Sequence, residues 1–158
     1  VIGELRQQVF LMSLKSVVLV TDGACLGNPG PGGWAALLRY NGAEKMLSGG
    51  EPDTTNNRME IMAVMEGLKT LSEKVQLRIV TDSKYVMNAF VEGWVDNWQA
   101  NGWRTASKKP VKNRDLWEEL IDLLERHDYE FEWVKGHAGH PDNERVDQAA
   151  RAAAEQQA

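Results

Sequence analysis

The sequence has one cysteine, Cys25, and three histidines in 158 residues. A single thiol excludes an intramolecular disulfide framework, and so few imidazoles beside it offer no closed nitrogen and sulfur shell for zinc. Nothing resembles a secretory leader, and no apolar run has the length that crosses a bilayer, so the expectation is a reducing cytoplasm and no membrane partner. Cys25 also lacks the surroundings of a thiol nucleophile and reads as an inert packed or turn thiol. Positive charge is short overall. The net charge is −5, which taken whole argues against a nucleic-acid partner held by counterion release.

The distribution of charge argues the other way. Between Asn101 and Arg114 lie Arg104, Lys108, Lys109, Lys112 and Arg114 with no acid among them, and Trp94, Trp98 and Trp103 sit just before or inside that run. A local basic field with interleaved aromatics matters more for nucleic acid than the total charge does. The hydrophobic fraction of 42% and charged fraction of 26% fit one globular domain with a real core.

Residues 1–14 (VIGELRQQVFLMSL) show no period and no turn logic, and read as an extension ahead of a single domain spanning residues 15–156. Val17 to Val20 are aliphatic on both faces, the pattern of a central strand, and Asp22 falls at its end. A carboxylate there is costly unless partnered, and two readings stand open: a cap for the following turn, or a ligand to a cation or basic group. Gly30 to Gly33 reads as a tight turn and Asn41-Gly42 as a hairpin turn, so strands one to three form an antiparallel meander.

Thr54 to Asn57 opens a helix on which Met59, Met62, Val64, Met65, Leu68 and Leu71 recur at helical spacing. Glu60 falls in its first turn, where an acid is often only a partner of the helix dipole. The fourth strand, Val75 to Val80, runs into Thr81-Asp82-Ser83 as the first runs into Thr21-Asp22-Gly23. Parallel neighbours would therefore place two carboxylates side by side. Short helices follow over Ser83 to Phe90 and through Trp94 and Trp98. An amphipathic helix over Asn113 to Leu124, an edge strand over Glu130 to Val134 and a last helix over Pro141 to Ala154 complete the chain. Asp147 is a poor helix former in the middle of that last helix, beside Val146 and Ala150, and needs a reason beyond propensity.

Asp22, Glu60, Asp82 and Asp147 thus come from two strand ends and two helices, and converge if the sheet carries its site at the carboxyl edge. Carboxylates that close raise one another's pKa unless hard divalent cations neutralise them, which points to Mg²⁺ or Mn²⁺. Two such ions about 4 Å apart suit in-line phosphoryl displacement, clamping the attacking water and the leaving oxygen. In the Gly136 to His140 loop the histidines read as a mobile acid or base rather than as ligands, with His140, before Pro141, the more structural of the two.

TDGACLGNPGPGG with Asp22, TTNNRME with Glu60, TDSKYV with Asp82, WRTASKKPVKNRDLW, and WVKGHAGHPDNERVDQAAR with Asp147 together resemble the bacterial type 1 ribonuclease H family, over nearly all the chain after Lys15. The resemblance implies an α/β fold with a five-stranded mixed sheet in order 3-2-1-4-5, flanked by helices on both faces. It implies a monomeric endonuclease that hydrolyses the RNA strand of RNA·DNA hybrids to 5′-phosphate and 3′-hydroxyl ends, removing RNA in replication, repair and R-loop resolution. By the same resemblance Asp22 bridges two Mg²⁺ ions, for which Mn²⁺ can substitute. Asp147 completes the site that activates the water, Glu60 and Asp82 hold the second ion, and His137 assists proton transfer or product release. Cys25, Asn28, Asn56, Asn57 and Lys84 match positions facing the hybrid's minor groove, where 2′-hydroxyls mark the RNA strand. Thr55 and Asn113 match a pocket for a DNA phosphate, while Trp94, Trp98 and Trp103 with Arg104, Lys108, Lys109 and Lys112 match a basic protrusion.

Three departures bear on affinity rather than chemistry. Gln99-Ala100-Asn101 lacks the paired basic residues many relatives carry between the tryptophans, Ala24 stands where serine is common, and Lys84 replaces a frequent glutamine. Two other functions share such a fold, a non-catalytic duplex-binding module and a DNA-directed nuclease. The first predicts a missing metal carboxylate, and all four acids are present; the glycine segment, TTNNRME and the basic loop count against the second.

Overall fold

The structure, a computed structural model, describes residues 14–136 and 139–158. The expected extension over residues 1–14 lies outside the described residues except for Leu14, and so does His137. Strands β1 (Ser16–Cys25), β2 (Gly30–Tyr40) and β3 (Ala43–Thr54) precede helix α1 (Asn56–Lys69). Then come β4 (Gln76–Thr81), α2 (Lys84–Val91), α3 (Trp94–Ala100), α4 (Arg114–Leu124), β5 (Asp128–Trp133) and α5 (Pro141–Gln156). The five strands form one sheet in the order β3-β2-β1-β4-β5. β1 to β3 form the expected meander, and β4 and β5 run parallel to β1.

Alternation along the central strands sorts the core into two layers. Val17 and Leu19 of β1 and Ala36 and Leu38 of β2 face the larger core, with Ile61, Val64, Met65 and Leu68 of α1 and Trp117 and Leu120 of α4. Val20, Ala35 and Leu37 face the other way, onto Val146 and Ala150 of α5. Helices therefore cover both faces, and α5 covers the second, over β1 to β3. Asn41 and Gly42 both take positive φ (50° and 83°), the twist a two-residue hairpin needs.

Three local expectations are corrected. Gly30 to Gly33 is not a turn: the chain reverses just before it, where the Leu26 N–H donates to the Pro31 carbonyl at 2.7 Å, and these residues open β2. Glycine is needed there because α5 crosses close by; a Cβ on Gly33 would stand 2.2 Å from the Ala150 carbonyl oxygen and 2.4 Å from the Ala154 nitrogen. β1 continues past Asp22 to Cys25, with Asp22 paired to Ala35 inside the ladder, so Asp22 is a strand residue and not a turn cap. Glu60 is not in the first turn of its helix. Thr55 is the N-cap, accepting from the Arg58 N–H, which makes Glu60 the fifth helical residue and turns it toward the sheet rather than the helix end.

Candidate active site

β1 and β4 are in register through Thr21 and Thr81, so Asp22 and Asp82 each stand one residue beyond the same pair. Successive residues of neighbouring parallel strands leave the sheet together, which brings these two acids side by side. α1 packs on β1 and β2 and brings Glu60 to the same place. Asp22, Glu60 and Asp82 each offer an oxygen within 4.8 Å of the others. Asp22 and Glu60 are buried, at 3% and 5% exposure, whereas Asp82 is half-buried.

Burial, then the charge of Asp82 and the neighbouring Asp147, pushes the Asp22 carboxyl up to about 8. Burial, followed by Asp22 and Asp82, drives Glu60 well above the usual carboxylate range, against a lowering contribution from the Gly23 backbone. Among the described residues, Glu60 Oε2 is buried without a hydrogen-bond partner. Without a cation these acids can only share protons. With a hard divalent cation the same oxygens become an all-oxygen ligand set, and the unpartnered Oε2 acquires a use. The residues present thus fit Mg²⁺ or Mn²⁺.

Asp147 adjoins Asp22 from α5, near enough to hydrogen-bond with it. Its carboxylate is also paired with Arg151 one turn on, at 3.2 Å. Helix spacing explains that pairing, since residues four apart share a face. All four acids expected to meet therefore do so, three in a tight set and Asp147 beside it. His140 is exposed at the N-cap of α5 and makes no side-chain cap bond.

The remaining expected residues lie at the end of β1 and the turn after it, at the starts of α1 and α2, and on α3 with the loop that follows it. Asn28, Thr55, Asn57, Trp98, Lys109, Lys112 and Asn113 line one open hollow of about 630 Å³. Asn28 Oδ1 accepts from the Asn56 N–H at 3.0 Å, joining the β1–β2 turn to the start of α1. Cys25 is half-buried with its Sγ 3.4 Å from the Gly30 carbonyl, and burial raises its thiol pKa, as suits an inert group. Lys84 is exposed at the start of α2, two residues after Asp82. Arg104, Lys108, Lys109 and Lys112 are all exposed on the loop between α3 and α4, which closes on itself through the Thr105 N–H to Lys109 carbonyl bond at 2.8 Å. Trp94, Trp98 and Trp103 form a chain of ring contacts, with Trp98 also 5.5 Å from Trp117. Trp98 and Trp103 pack against the main core, which anchors the basic loop to the domain.

Two residues of this surface escaped sequence reasoning. Arg58 reaches Asn113 Oδ1 at 3.2 Å and makes a two-pronged pair with Asp115, at 3.1 and 3.0 Å. Tyr85 Oη accepts from Asn113 Nδ2 at 3.1 Å. Together they fix the Asn113 amide at both ends. Arg58 stands within TTNNRME, three residues after the capping Thr55, but its partners lie more than fifty residues away and leave no local signal.

Comparison with known proteins agrees with this geometry. The sequence matches the RNase H family model over residues 14–155. It is 62% identical over 144 residues to a ribonuclease H of Thermus thermophilus, covering 91% of this chain and 87% of that protein. A ribonuclease H of Nitratidesulfovibrio vulgaris is 60% identical over 143 residues, covering 90% and 92%. Among solved structures, LC9-RNase H1, described as a type 1 RNase H with the type 2 active-site motif, superposes with a TM-score of 0.81 at 32% identity, over 92% of this chain and 74% of that one. LC11-RNase H1, solved in complex with RNA/DNA hybrid, shares the fold with a TM-score of 0.66 at 17% identity, over 89% and 97%.

Proposed function

Since the chain belongs to the RNase H family and is a ribonuclease H enzyme, we propose that it cuts the RNA strand of RNA·DNA hybrids, leaving 5′-phosphate and 3′-hydroxyl ends. The observation that carries this reading is the cluster of carboxylates at Asp22, Glu60 and Asp82, the first two buried and pushed up in pKa, with Asp147 beside it. These four would hold two Mg²⁺ ions, or Mn²⁺ in their place. Bound there, such ions neutralise charge on the phosphate and lower the pKa of water.

The protein's own part is placement. Asp22 and Glu60, held out of water by β1 and α1, concentrate negative charge where only a compact cation can relieve it. By the family resemblance, Asn28, Asn56, Asn57, Cys25 and Lys84 would meet the minor groove, and Thr55 and Asn113 would take a phosphate of the DNA strand. Arg104, Lys108, Lys109 and Lys112 would hold the duplex further along, and Trp94, Trp98 and Trp103 would support that grip. His137 would move a proton at the leaving oxygen or help product depart. We further read residues 15–156 as a single catalytic domain, working as a monomer in the cytoplasm on hybrids left by replication, repair and R-loops; the family match over residues 14–155 supports the domain limits.

The test is cleavage of labelled RNA·DNA, RNA·RNA and DNA·DNA duplexes with and without Mg²⁺, with analysis of product ends. Only the RNA of the hybrid should be cut, only with the ion, and with 3′-hydroxyl ends. Cleavage of the DNA duplex, or of the hybrid in the presence of a chelator, would overturn the proposal.

A further inference from the structure

Trp133, the last residue of the edge strand β5, is an awkward residue for its place: it leaves 39% of its surface exposed. Apolar burial is therefore not what orients it. Two directed contacts do so. Its Nε1–H donates to the backbone carbonyl of Asp82 at 3.0 Å, and the Lys84 ammonium lies over its ring, 4.7 Å from the centroid. An indole that spends its one donor and its π face in this way is held by polar geometry.

The partner of that donor is the residue that presents the third carboxylate. Asp82 lies past the end of β4, beyond the regular ladder, in a segment pinned at each side. The Val134 N–H donates to the Thr81 carbonyl at 3.0 Å, and the Ser83 N–H donates to Thr81 Oγ1 at 3.0 Å. Ser83 is held in turn by the Val86 N–H donating to its Oγ at 3.2 Å. The Asp82 carbonyl lies between these anchors and is met by Trp133. Three residues on, Gly136 passes the other end of the same residue; a Cβ there would come within 2.9 Å of Asp82 Oδ2. The exit of β5 thus bonds Asp82 at its main chain and passes close to its carboxylate.

We propose that Trp133 is a positioning residue for the reaction: its indole N–H sets the backbone of Asp82, and its ring sets Lys84 at the edge of the substrate surface. The proposal rests on the two-metal reading above and adds a division of labour to it. One side chain on the edge strand serves metal binding through its donor and substrate binding through its ring, so the two properties are separable by substitution.

Trp133→Phe keeps a ring and removes the donor. Mn²⁺ binding to the substrate-free protein, followed by calorimetry or electron paramagnetic resonance, should weaken by about three- to tenfold, the loss of one ordinary hydrogen bond. The half-saturating Mg²⁺ concentration for cleavage should rise in step while KM for the hybrid stays within about twofold. Lys84→Met should do the reverse, raising KM and leaving Mn²⁺ affinity as it was. Gly136→Ala approaches Asp82 from the opposite side without touching the strand, and should also weaken Mn²⁺ binding; it keeps the Asp82 half of the idea testable should the edge strand of Trp133→Phe fray. Mn²⁺ affinity equal to wild type in Trp133→Phe would overturn the proposal, as would a rise in KM alone in that variant. Because binding is read without turnover, failure of the wild-type protein to cut the hybrid would strike the two-metal reading and leave the role of Trp133 to be judged by metal affinity.

Discussion

At the scale of single residues, the site is a set of charges placed where charge is expensive. Asp22 costs the metal-free fold stability, because its carboxyl has an ordinary pKa when unfolded and one near 8 when folded. The native state then binds the proton more tightly, so stability falls as pH rises from about 4 to about 8 and levels off above. We expect metal-free protein to melt progressively lower across that window, and saturating Mg²⁺ to recover most of the loss. Asp22→Asn should flatten the pH dependence, raise the melting temperature at pH 8 by several degrees, about 1–3 kcal/mol, and abolish cleavage. Calorimetric melting from pH 5 to 9 beside a turnover assay checks all three; a pH slope in the variant equal to wild type would assign the cost to another acid. His137→Ala should slow turnover by about 10²- to 10⁴-fold while metal affinity holds, the usual share of a general acid or base, measured in single-turnover cleavage with Mn²⁺ titration. Asp147 could be singled out in the sequence because it breaks helix propensity, and Asp22 and Asp82 because Thr-Asp recurs at two strand ends. Glu60 was ambiguous, since only the packing of α1 on β1 separates a buried ligand from a dipole partner. Arg58 was invisible for a similar reason: its carboxylate partner comes from α4.

At the scale of elements, what brings Asp147 to the other acids is how closely α5 passes the sheet. Gly33 lets the α5 backbone lie directly on β2, and the contacts a Cβ would make there are with main-chain atoms that cannot rotate away. Gly33→Ala should therefore push α5 off the sheet, destabilise the domain by about 3 kcal/mol or more and carry Asp147 away from Asp22. Urea denaturation together with Mg²⁺ titration of residual activity checks this; a variant losing less than about 1 kcal/mol would mean that α5 can slide without cost. The same glycine shows why this part of the chain was misread. NPGPGG has the composition of a turn, and a turn does lie at its start, but Gly33 answers to a helix more than a hundred residues later. Strand alternation and the Asn41-Gly42 hairpin are properties of neighbouring residues and were legible, whereas the order of strands in the sheet came with the family resemblance. Ion pairs reinforce the alignment, as Arg39 at the end of β2 and Arg145 in α5 each bond both Asp142 and Glu44, tying the hairpin to the start of α5.

On the scale of the whole molecule, charge is divided rather than balanced. A net charge of −5 coexists with a loop carrying exposed Arg104, Lys108, Lys109 and Lys112, and the acids of the site gather around Asp22 of β1 and Asp82 just past β4. A polyanionic duplex approaching such a surface is repelled by the total charge and drawn to one place, so affinity must rest on few phosphate contacts. The ring chain Trp94, Trp98 and Trp103 ties that loop to the core through Trp117, which gives these contacts a fixed distance from the acids. Substituting Lys108, Lys109 and Lys112 together by alanine should then raise KM for the hybrid far more than it lowers kcat, because the loop binds and the acids react. Counterion release adds a second requirement: the slope of log affinity against log salt should become shallower by roughly one for each phosphate contact removed. Steady-state kinetics and binding isotherms from 50 to about 200 mM salt measure both quantities. If slope and KM stay as in the wild type, the loop is a solvated appendage, and the grip on the duplex falls to the segment between β1 and β2 and to exposed Lys84 at the start of α2.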